Sequence, residues 1–382
     1  MSVYKDVEQA LQQLREKDLY RSRHPLQSAQ GPEIRIAGRQ LINFSSNDYL
    51  GLANDARIKN WLIDALQVLG VGAGASQLIV GYNETHRELE LALSGWLQRD
   101  ATLLFPSGYM ANLAIASTLI DKNSVVIQDK LNHASLIDAA TLSPGKLARY
   151  PHSDMQALER LLIKHNEKKR VVMTDGVFSM DGDCARLQEI AELCAMHNAL
   201  LVVDDAHGIG ALGQQGAGLV ESLALTQQQV PLLVGTFGKA FGISGAFVSG
   251  DSRLIDLLLQ KARTYIYTTA MLPAVAATLV KTLELIRNAS DLRQQLRTNI
   301  DLLKSQVPAL ASDTHIQPLV IGASNHALNA SNRLREQGVL AMAIRPPTVP
   351  NGTARLRISL SAAHTRQHIN ALATAVNGLL VT

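Results

Sequence analysis

The chain has 382 residues, 47% of them hydrophobic and 18% charged, which excludes a fibrous or disordered polymer and leaves room for a large core and more than one domain. Its formal charge of +3 comes from 36 Lys and Arg dispersed among 33 Asp and Glu, so no nucleic-acid-binding face is legible and no nucleic acid is expected as partner. Two cysteines, Cys184 and Cys194, read as members of one helix, supply neither a disulfide framework nor metal-ligand spacing.

The opening MSVYKDVEQALQQLREKDLYRSRH is charged and amphipathic, without the apolar stretch of a signal peptide, and no apolar run reaches membrane-spanning length. A cytoplasmic chain with no membrane partner is expected. Residues 1–45 read as an arm: a helix over roughly 3–19, an Arg-rich turn, and a short strand pair through EIRIAGRQLINF. Residues 46–285 alternate short β-branched runs with helical patterns: TLLF (102–105), SVVIQD (124–129), RVVMTDG (170–176), ALLVVDDAHG (199–208), PLLVGTFGK (231–239) and GAFVSG (245–250). Continuous apolar strands separated by helices predict a large α/β domain with a mostly parallel sheet covered on both faces. Over 286–382, Leu292, Leu296, Ile300 and Leu303 recur at helical spacing, and IQPLVIG (316–322) and ARLRISL (354–360) read as strands of a smaller α+β domain. No repeat or low-complexity stretch interrupts the chain.

In such a sheet ligands bind beyond the carboxyl ends of the strands, and those ends are polar here. They deliver Asn132 and His133, then Ser179, then Asp204, Asp205 and His207, then Thr236 and Lys239. Gly208, Gly210 and Gly213 spell GxGxxG, but four strands precede them and no acidic residue ends the next strand, so a dinucleotide site is disfavoured. GTFGKAFG is no P-loop either, because Leu233 stands where its first glycine belongs and Ala240 follows Lys239 where Mg²⁺ chemistry needs Ser or Thr. What remains is a lysine on a glycine-rich turn and an aspartate ending another strand. Lys239 taken alone is an ordinary loop lysine, Asp204 a helix cap, His133 or His207 a satisfied polar residue. Together they match the needs of pyridoxal 5'-phosphate: a Schiff-base lysine, and a carboxylate that keeps the pyridine nitrogen protonated so that the ring draws in electrons.

The motifs NFSSNDYLGL (43–52), FPSGYMAN (105–112), NHASLIDAA (132–140), DGVFSMDGD (175–183), VDDAHGIG (203–210), TFGKAFG (236–242) and IRPPTVPNGTARLRISL (344–360) resemble those of the α-oxoamine synthases, a family of fold-type I pyridoxal-phosphate enzymes. The resemblance implies the aspartate aminotransferase-like α/β fold and an acyltransferase working as a homodimer whose sites straddle the interface. It implies that Lys239 binds the cofactor, Asp204 pairs with the ring nitrogen and His133 stacks on the ring. His207 and Ser179 would lie near its phenolic oxygen, and Thr236 with the Gly108-Tyr109 backbone would hold its phosphate. A helix opened by SGYMAN offers amide donors for that phosphate independently. Arg357 matches the family's carboxylate-binding arginine, with Asn47 and Thr348 beside it, and Arg21 matches a residue turned toward the acyl substrate.

Within the family, IRPPTVP leans toward the members of biotin synthesis, which condense L-alanine with a pimeloyl thioester, carried on coenzyme A or an acyl carrier protein. Relatives using glycine or serine share the catalytic set. A pyridoxal aminotransferase or lyase, and a binding protein that has lost catalysis, are the competing classes; retention of Lys239, Asp204, His133 and Arg357 together opposes the last. The chain departs from the family's usual pattern at Asp175, where Glu is common, at Ile209, and at GAGASQ (72–77), where Gln77 replaces a cation. YIYTT (265–269) resembles the segment that reaches the neighbouring subunit's phosphate.

Overall fold

The computed structural model describes residues 3–380. Among the described residues thirteen strands run in chain order: β1 (Glu33–Ile36), β2 (Arg39–Asn43), β3 (Ala101–Phe105), β4 (Ser124–Asp129), β5 (Lys146–Tyr150), β6 (Lys169–Asp175), β7 (Leu200–Asp204), β8 (Leu232–Thr236), β9 (Ala246–Gly250), β10 (Ile316–Gly322), β11 (Val339–Leu340), β12 (Met342–Ile344) and β13 (Ala354–Ser359). The chain divides into two compact units, one of residues 52–179 and 183–294, the other, among the described residues, of 3–51, 180–182 and 295–380.

The larger unit is built on a seven-stranded sheet of order β3-β9-β8-β7-β6-β4-β5. The pairs from β8 through β5 are parallel, while β9 runs antiparallel to both neighbours, β3 and β8. Every residue of β4 and β9 is buried, as are residues 171–175 of β6, which is why these strands read as unbroken apolar runs rather than alternating ones. One face packs Val126, Val171, Met173, Val202 and Val234 against Ala111, Ala114 and Ile115 of the helix Gly108–Leu119. β5, KLARY, lies at the sheet edge with Lys146 and Arg149 exposed and only Tyr150 buried, so it carried no continuous apolar run.

The smaller unit holds two three-stranded sheets, β1-β2-β11 and β10-β13-β12. β1 and β2 form the expected hairpin, turned by Ala37 and Gly38 at φ 49° and 75°, the left-handed pair that a two-residue loop needs. The first helix spans Val3–Glu16 and stops short of 19, because Asp18 adopts φ 54° and the Leu19 amide bonds back to the Leu14 carbonyl. The helix Ser290–Gln306 buries Leu296, Asn299, Ile300 and Leu303. The cysteines do not share a helix: Cys194 is buried in Leu187–Met196, while Cys184 is exposed before it, in an isolated bridge to Val177, and neither is in a disulfide. The tight turn at Gly182 keeps residue 184 out of the helix that sequence periodicity extended backward.

Candidate active site

Parallel register sets the two central carboxylates: Asp175, ending β6, pairs with Asp204, ending β7. Both are buried. Asp204 Oδ2 accepts from Asn112 Nδ2 at 2.7 Å and its Oδ1 from the Ala206 amide at 3.1 Å. The same Asn112 amide donates to Ser135 Oγ at 2.9 Å, and Ser135 Oγ lies 2.8 Å from His133 Nδ1. His133 caps the helix Ala134–Leu142, and its backbone amide donates to Asp175 Oδ2 at 2.6 Å. A polar chain thus runs from His133 through Ser135 and Asn112 to Asp204. Sequence reasoning left Asn112 out of the site, although an Asn on the apolar side of ANLAIA is itself a signal, since a fully buried amide must find partners.

The charges here act on one another. Burial, and then the neighbouring Asp204 carboxylate, push Asp175 well above the usual carboxylate range, partly opposed by the His133 amide and the Lys239 ammonium. Burial also pushes the His133 imidazole down; Asp204 raises it and Lys239 lowers it further. Lys239, Asp204, Asp175 and His133 therefore form one electrostatic cluster within the larger unit.

Lys239 lies half-buried in residues 237–245, the connection between antiparallel β8 and β9. The turn is fixed on both sides of the lysine. Phe237 and Phe241 are fully buried with ring centroids 5.2 Å apart, and Trp96 packs edge-on to Phe241 at 6.0 Å. Thr236 Oγ1 accepts from the Gly238 amide at 3.1 Å and donates to the Gly245 carbonyl at 2.9 Å, and the Gly242 amide bonds to the Lys239 carbonyl at 2.8 Å. Gly242 has φ 70°, and a Cβ there would stand 2.4 Å from the Ala53 nitrogen, so the backbone of residues 52–53 closes the turn. Gly242→Ala is expected to lower stability by about 1–3 kcal/mol or more, read as a lower urea midpoint at unchanged slope; an unchanged midpoint would show that the turn is not held as described.

The GxGxxG glycines have packing reasons. A Cβ on Gly208 would stand 2.1 Å from Asp205 Oδ1, one on Gly210 2.5 Å from the Ala240 Cβ beside the lysine, and one on Gly213 2.1 Å from Glu221 Oε2. Asp205 is wholly buried, its Oδ2 accepting from the Leu219 amide at 2.6 Å, and burial pushes its carboxyl up to about 7.

At the start of the helix Gly108–Leu119, Ser107 caps the Met110 amide with Oγ (3.3 Å) and the Ala111 amide with its carbonyl (3.1 Å). The donors remaining for an anion are those of Gly108 and Tyr109. The Tyr109 hydroxyl donates to Asp138, a bond that raises the phenol above its ordinary range. His207 is buried in the turn after β7, and Ser179 is buried after β6.

The other expected site residues belong to the smaller unit. Arg357, on β13 between buried neighbours, donates to Ser359 Oγ at 2.7 Å and reaches the Tyr49 hydroxyl at 3.5 Å; Tyr49 donates to Asn47 Oδ1 at 3.0 Å. Asn47, Tyr49 and Arg357 are thus brought together. Thr348 is exposed in a turn whose amide bonds to the Arg345 carbonyl at 3.1 Å. Arg21 is exposed in a groove of about 480 Å³ that it shares with Tyr20, Arg335 and Arg345, and its charge, after burial, lowers the pKa of Arg345.

Solved structures share this architecture. A serine palmitoyltransferase of S. paucimobilis, with a bound PLP-myriocin aldimine, superposes at a TM-score of 0.93 with 28% identity over 100% of both chains. An 8-amino-7-oxononanoate synthase from Francisella tularensis does so at 0.78 with 30% identity over 89% of this chain and 98% of that one. These likenesses and the site define the class as a fold-type I pyridoxal-phosphate-dependent enzyme. The family model for aminotransferase class I and II matches residues 39–376. Curated relatives named 8-amino-7-oxononanoate synthase include those of Hahella chejuensis, 47% identical over 97% of this chain and 95% of that one, and Thioalkalivibrio sulfidiphilus, 48% identical over 98% and 97%. The chain belongs to the class I and II aminotransferase family and, within it, to the 8-amino-7-oxononanoate synthases.

Proposed function

We propose that this protein condenses L-alanine with a pimeloyl thioester, releasing CO₂ and free thiol and forming 8-amino-7-oxononanoate, with pyridoxal 5'-phosphate as its cofactor. The observation that carries this reading is the convergence of Lys239, Asp204 and His133 in one charged cluster, in a chain 47% identical to an enzyme of that name. The donor set suits the cofactor: a buried carboxylate already held by two donors, two helix-start amides for a phosphate, and a lysine on a rigid turn. Bound there, the cofactor supplies an aldehyde that joins an amine and a ring that takes up the electron pair left at the substrate's Cα.

Asp204 holds a proton on the ring nitrogen, and Asn112 and the Ala206 amide keep its carboxylate in place while it does so. Lys239 Nζ would join the cofactor in the resting protein and, once free and neutral, would serve as the general base for the Cα proton. With Nδ1 engaged by Ser135, His133 has Nε2 left to donate to the oxygen that becomes anionic when the thioester is attacked and CO₂ departs. Gly108, Tyr109 and Thr236 would hold the phosphate, and Ser179 and His207 would lie toward the phenolic oxygen. Arg357, with Asn47 and Thr348, takes the alanine carboxylate in its planar fork, and Arg21 serves the acyl substrate.

The protein works as a homodimer in the cytoplasm. Val71, Ile79 and Val80 are 82%, 73% and 77% exposed, and Tyr267 70%, on two segments joined by the Ser76–Thr269 bridge; this apolar face is the dimer contact. Sedimentation should give a dimer, and Ile79→Asp a monomer; a wild-type monomer would refute this assignment. Among the described residues no helix is long and apolar enough to cross a membrane. The thioester arrives on an acyl carrier protein, a transient partner, or on coenzyme A.

The likeness to serine palmitoyltransferase at a TM-score of 0.93 favours a second reading, in which serine is the amino acid. Absorbance titration of the cofactor-loaded protein with L-alanine, glycine and L-serine separates the two. The strongest response is expected with L-alanine, followed, on adding either pimeloyl thioester, by thiol and CO₂ in equal amounts. A response to serine or glycine alone would overturn the alanine assignment, and no visible band after loading would overturn the cofactor reading.

A further inference from the structure

We infer that His152 is a positioning residue for the reaction: as an imidazolium clasped between Asp129 and Asp183, it locks the turn that presents His133 to the loop that presents Ser179. No part of the mechanism above uses His152. It follows β5, whose pairing with β4 brings it to the same end of the sheet as the active-site turns. Its Nδ1 lies 3.0 Å and 3.1 Å from the two oxygens of Asp129, and its Nε2 2.7 Å from Asp183 Oδ2. A carboxylate only accepts, so bonding at both nitrogens requires both to donate, and only the charged imidazole does that. Burial opposes the charge, but the two carboxylates outweigh it and raise the imidazole to about 10.

Each carboxylate is anchored to a site segment. Asp129, ending β4, is buried; its Oδ1 accepts the Leu131 amide at 2.8 Å, its Oδ2 the Ser153 amide at 2.9 Å. The turn that begins there runs through Asn132, tied to the Met173 carbonyl at 2.7 Å, into His133. On the other side the Phe178 amide donates to the Asp183 carbonyl at 2.9 Å, closing the loop that holds Ser179, and the Phe178 ring meets His152 edge-on at 4.5 Å. Remove the imidazolium and two carboxylates face each other across the gap, with no cation between them, so the two segments separate or rotate. Neutral or singly bonding replacements cannot restore both contacts.

The inference rests on the placement of His133 and Ser179 at the cofactor, and the test keeps the two claims apart. His152→Gln, Asp183→Asn and the double variant are compared with the wild type. Three quantities are read: the dissociation constant for pyridoxal phosphate, visible circular dichroism of the bound cofactor, and amide exchange of Phe178 and Leu131 in the cofactor-free protein. His152→Gln is expected to weaken cofactor binding about tenfold or more, alter the visible dichroism, speed exchange at both amides, and lower kcat with little change in the KM for alanine. Asp183→Asn, on a more exposed side chain, should move every readout the same way, and the double variant should be no worse than His152→Gln, because both break one clasp. Equal cofactor affinity and dichroism in both single variants, whatever their unfolding midpoints, would overturn the inference. If His152→Gln does not fold, Asp183→Asn alone decides by the same readouts. Failure of the wild type to bind the cofactor would instead sink the functional reading.

Discussion

Lys239→Ala is expected to lower turnover by about 10⁴-fold, the upper end of what loss of a positioned acid–base group costs, because in the proposed function the same nitrogen would also make the covalent link to the cofactor. The two roles can be separated. Without the lysine the protein should still hold pyridoxal phosphate, since the Asp204 carboxylate, the Gly108 and Tyr109 amides and Thr236 are untouched, but borohydride should no longer fix the cofactor to the chain. The fold should persist: Phe237, Ala240 and Phe241 are buried around the turn, whereas Lys239 is only partly so. Turnover within tenfold of wild type, or cofactor still fixed by reduction, would mean that another amine does the chemistry.

The turn around Lys239 also shows what the sequence discloses and what it withholds. Apolar runs without alternation announced a sheet buried on both faces, and β4 occupies residues 124–129 as read. The direction of β9 was legible too, though by a different argument. A parallel crossover needs a dozen or more residues, and residues 237–245 are too few to make one, so β8 and β9 had to be antiparallel. That geometry places the lysine at the tip of a hairpin beside the ends of β6 and β7. The polar strand ends named His133, Asp204 and Lys239 because imidazole, carboxylate and amine at successive strand ends have few packing explanations in common.

Other features had no local signature. β5 is a short, mostly unburied edge strand whose guide is its parallel partner β4. β11 pairs with β2 from the opposite end of the chain, and pairing at such separation leaves no periodicity to read. Gln77 looked like a lost cation; in the fold its amide donates to the Leu104 carbonyl at 3.0 Å and accepts from the Tyr265 hydroxyl at 2.7 Å, so it ties the loop before Leu78 to the segment before Tyr267. Asp175 looked like a shortened glutamate, and the shorter arm fits a carboxylate that caps the His133 amide. In both cases the side chain's partner lies far along the chain, which is why the residue's type alone did not reveal its use.

Asp204→Asn is expected to lower kcat on the order of 10²–10³-fold, the cost of removing one preorganised electrostatic contact, while the lysine–cofactor bond still forms. The physical argument turns on what surrounds the carboxylate. Asn112 and the Ala206 amide already donate to it, one to each oxygen, so its charge is held in place and cannot swing away from a ring nitrogen. An amide in its place would put an NH₂ or a carbonyl toward Asn112 and toward the ring, and neither arrangement favours a protonated ring nitrogen; without that proton the ring accepts electrons poorly. Asn112→Ala should produce a smaller loss, because the Ala206 amide still bonds to the carboxylate, yet a buried acceptor without its partner costs about 1–3 kcal/mol, enough to loosen the site. The order of the three proteins in kcat, wild type above Asn112→Ala above Asp204→Asn, distinguishes a charge that acts on the ring from one that serves the fold. If Asp204 were only structural, the two variants would lose stability together and keep their turnover per bound cofactor. The neighbouring acid gives a second readout: with the Asp204 charge gone, one of the causes that hold Asp175 above the usual carboxylate range is removed, and its carboxyl should ionise at lower pH in Asp204→Asn than in the wild type.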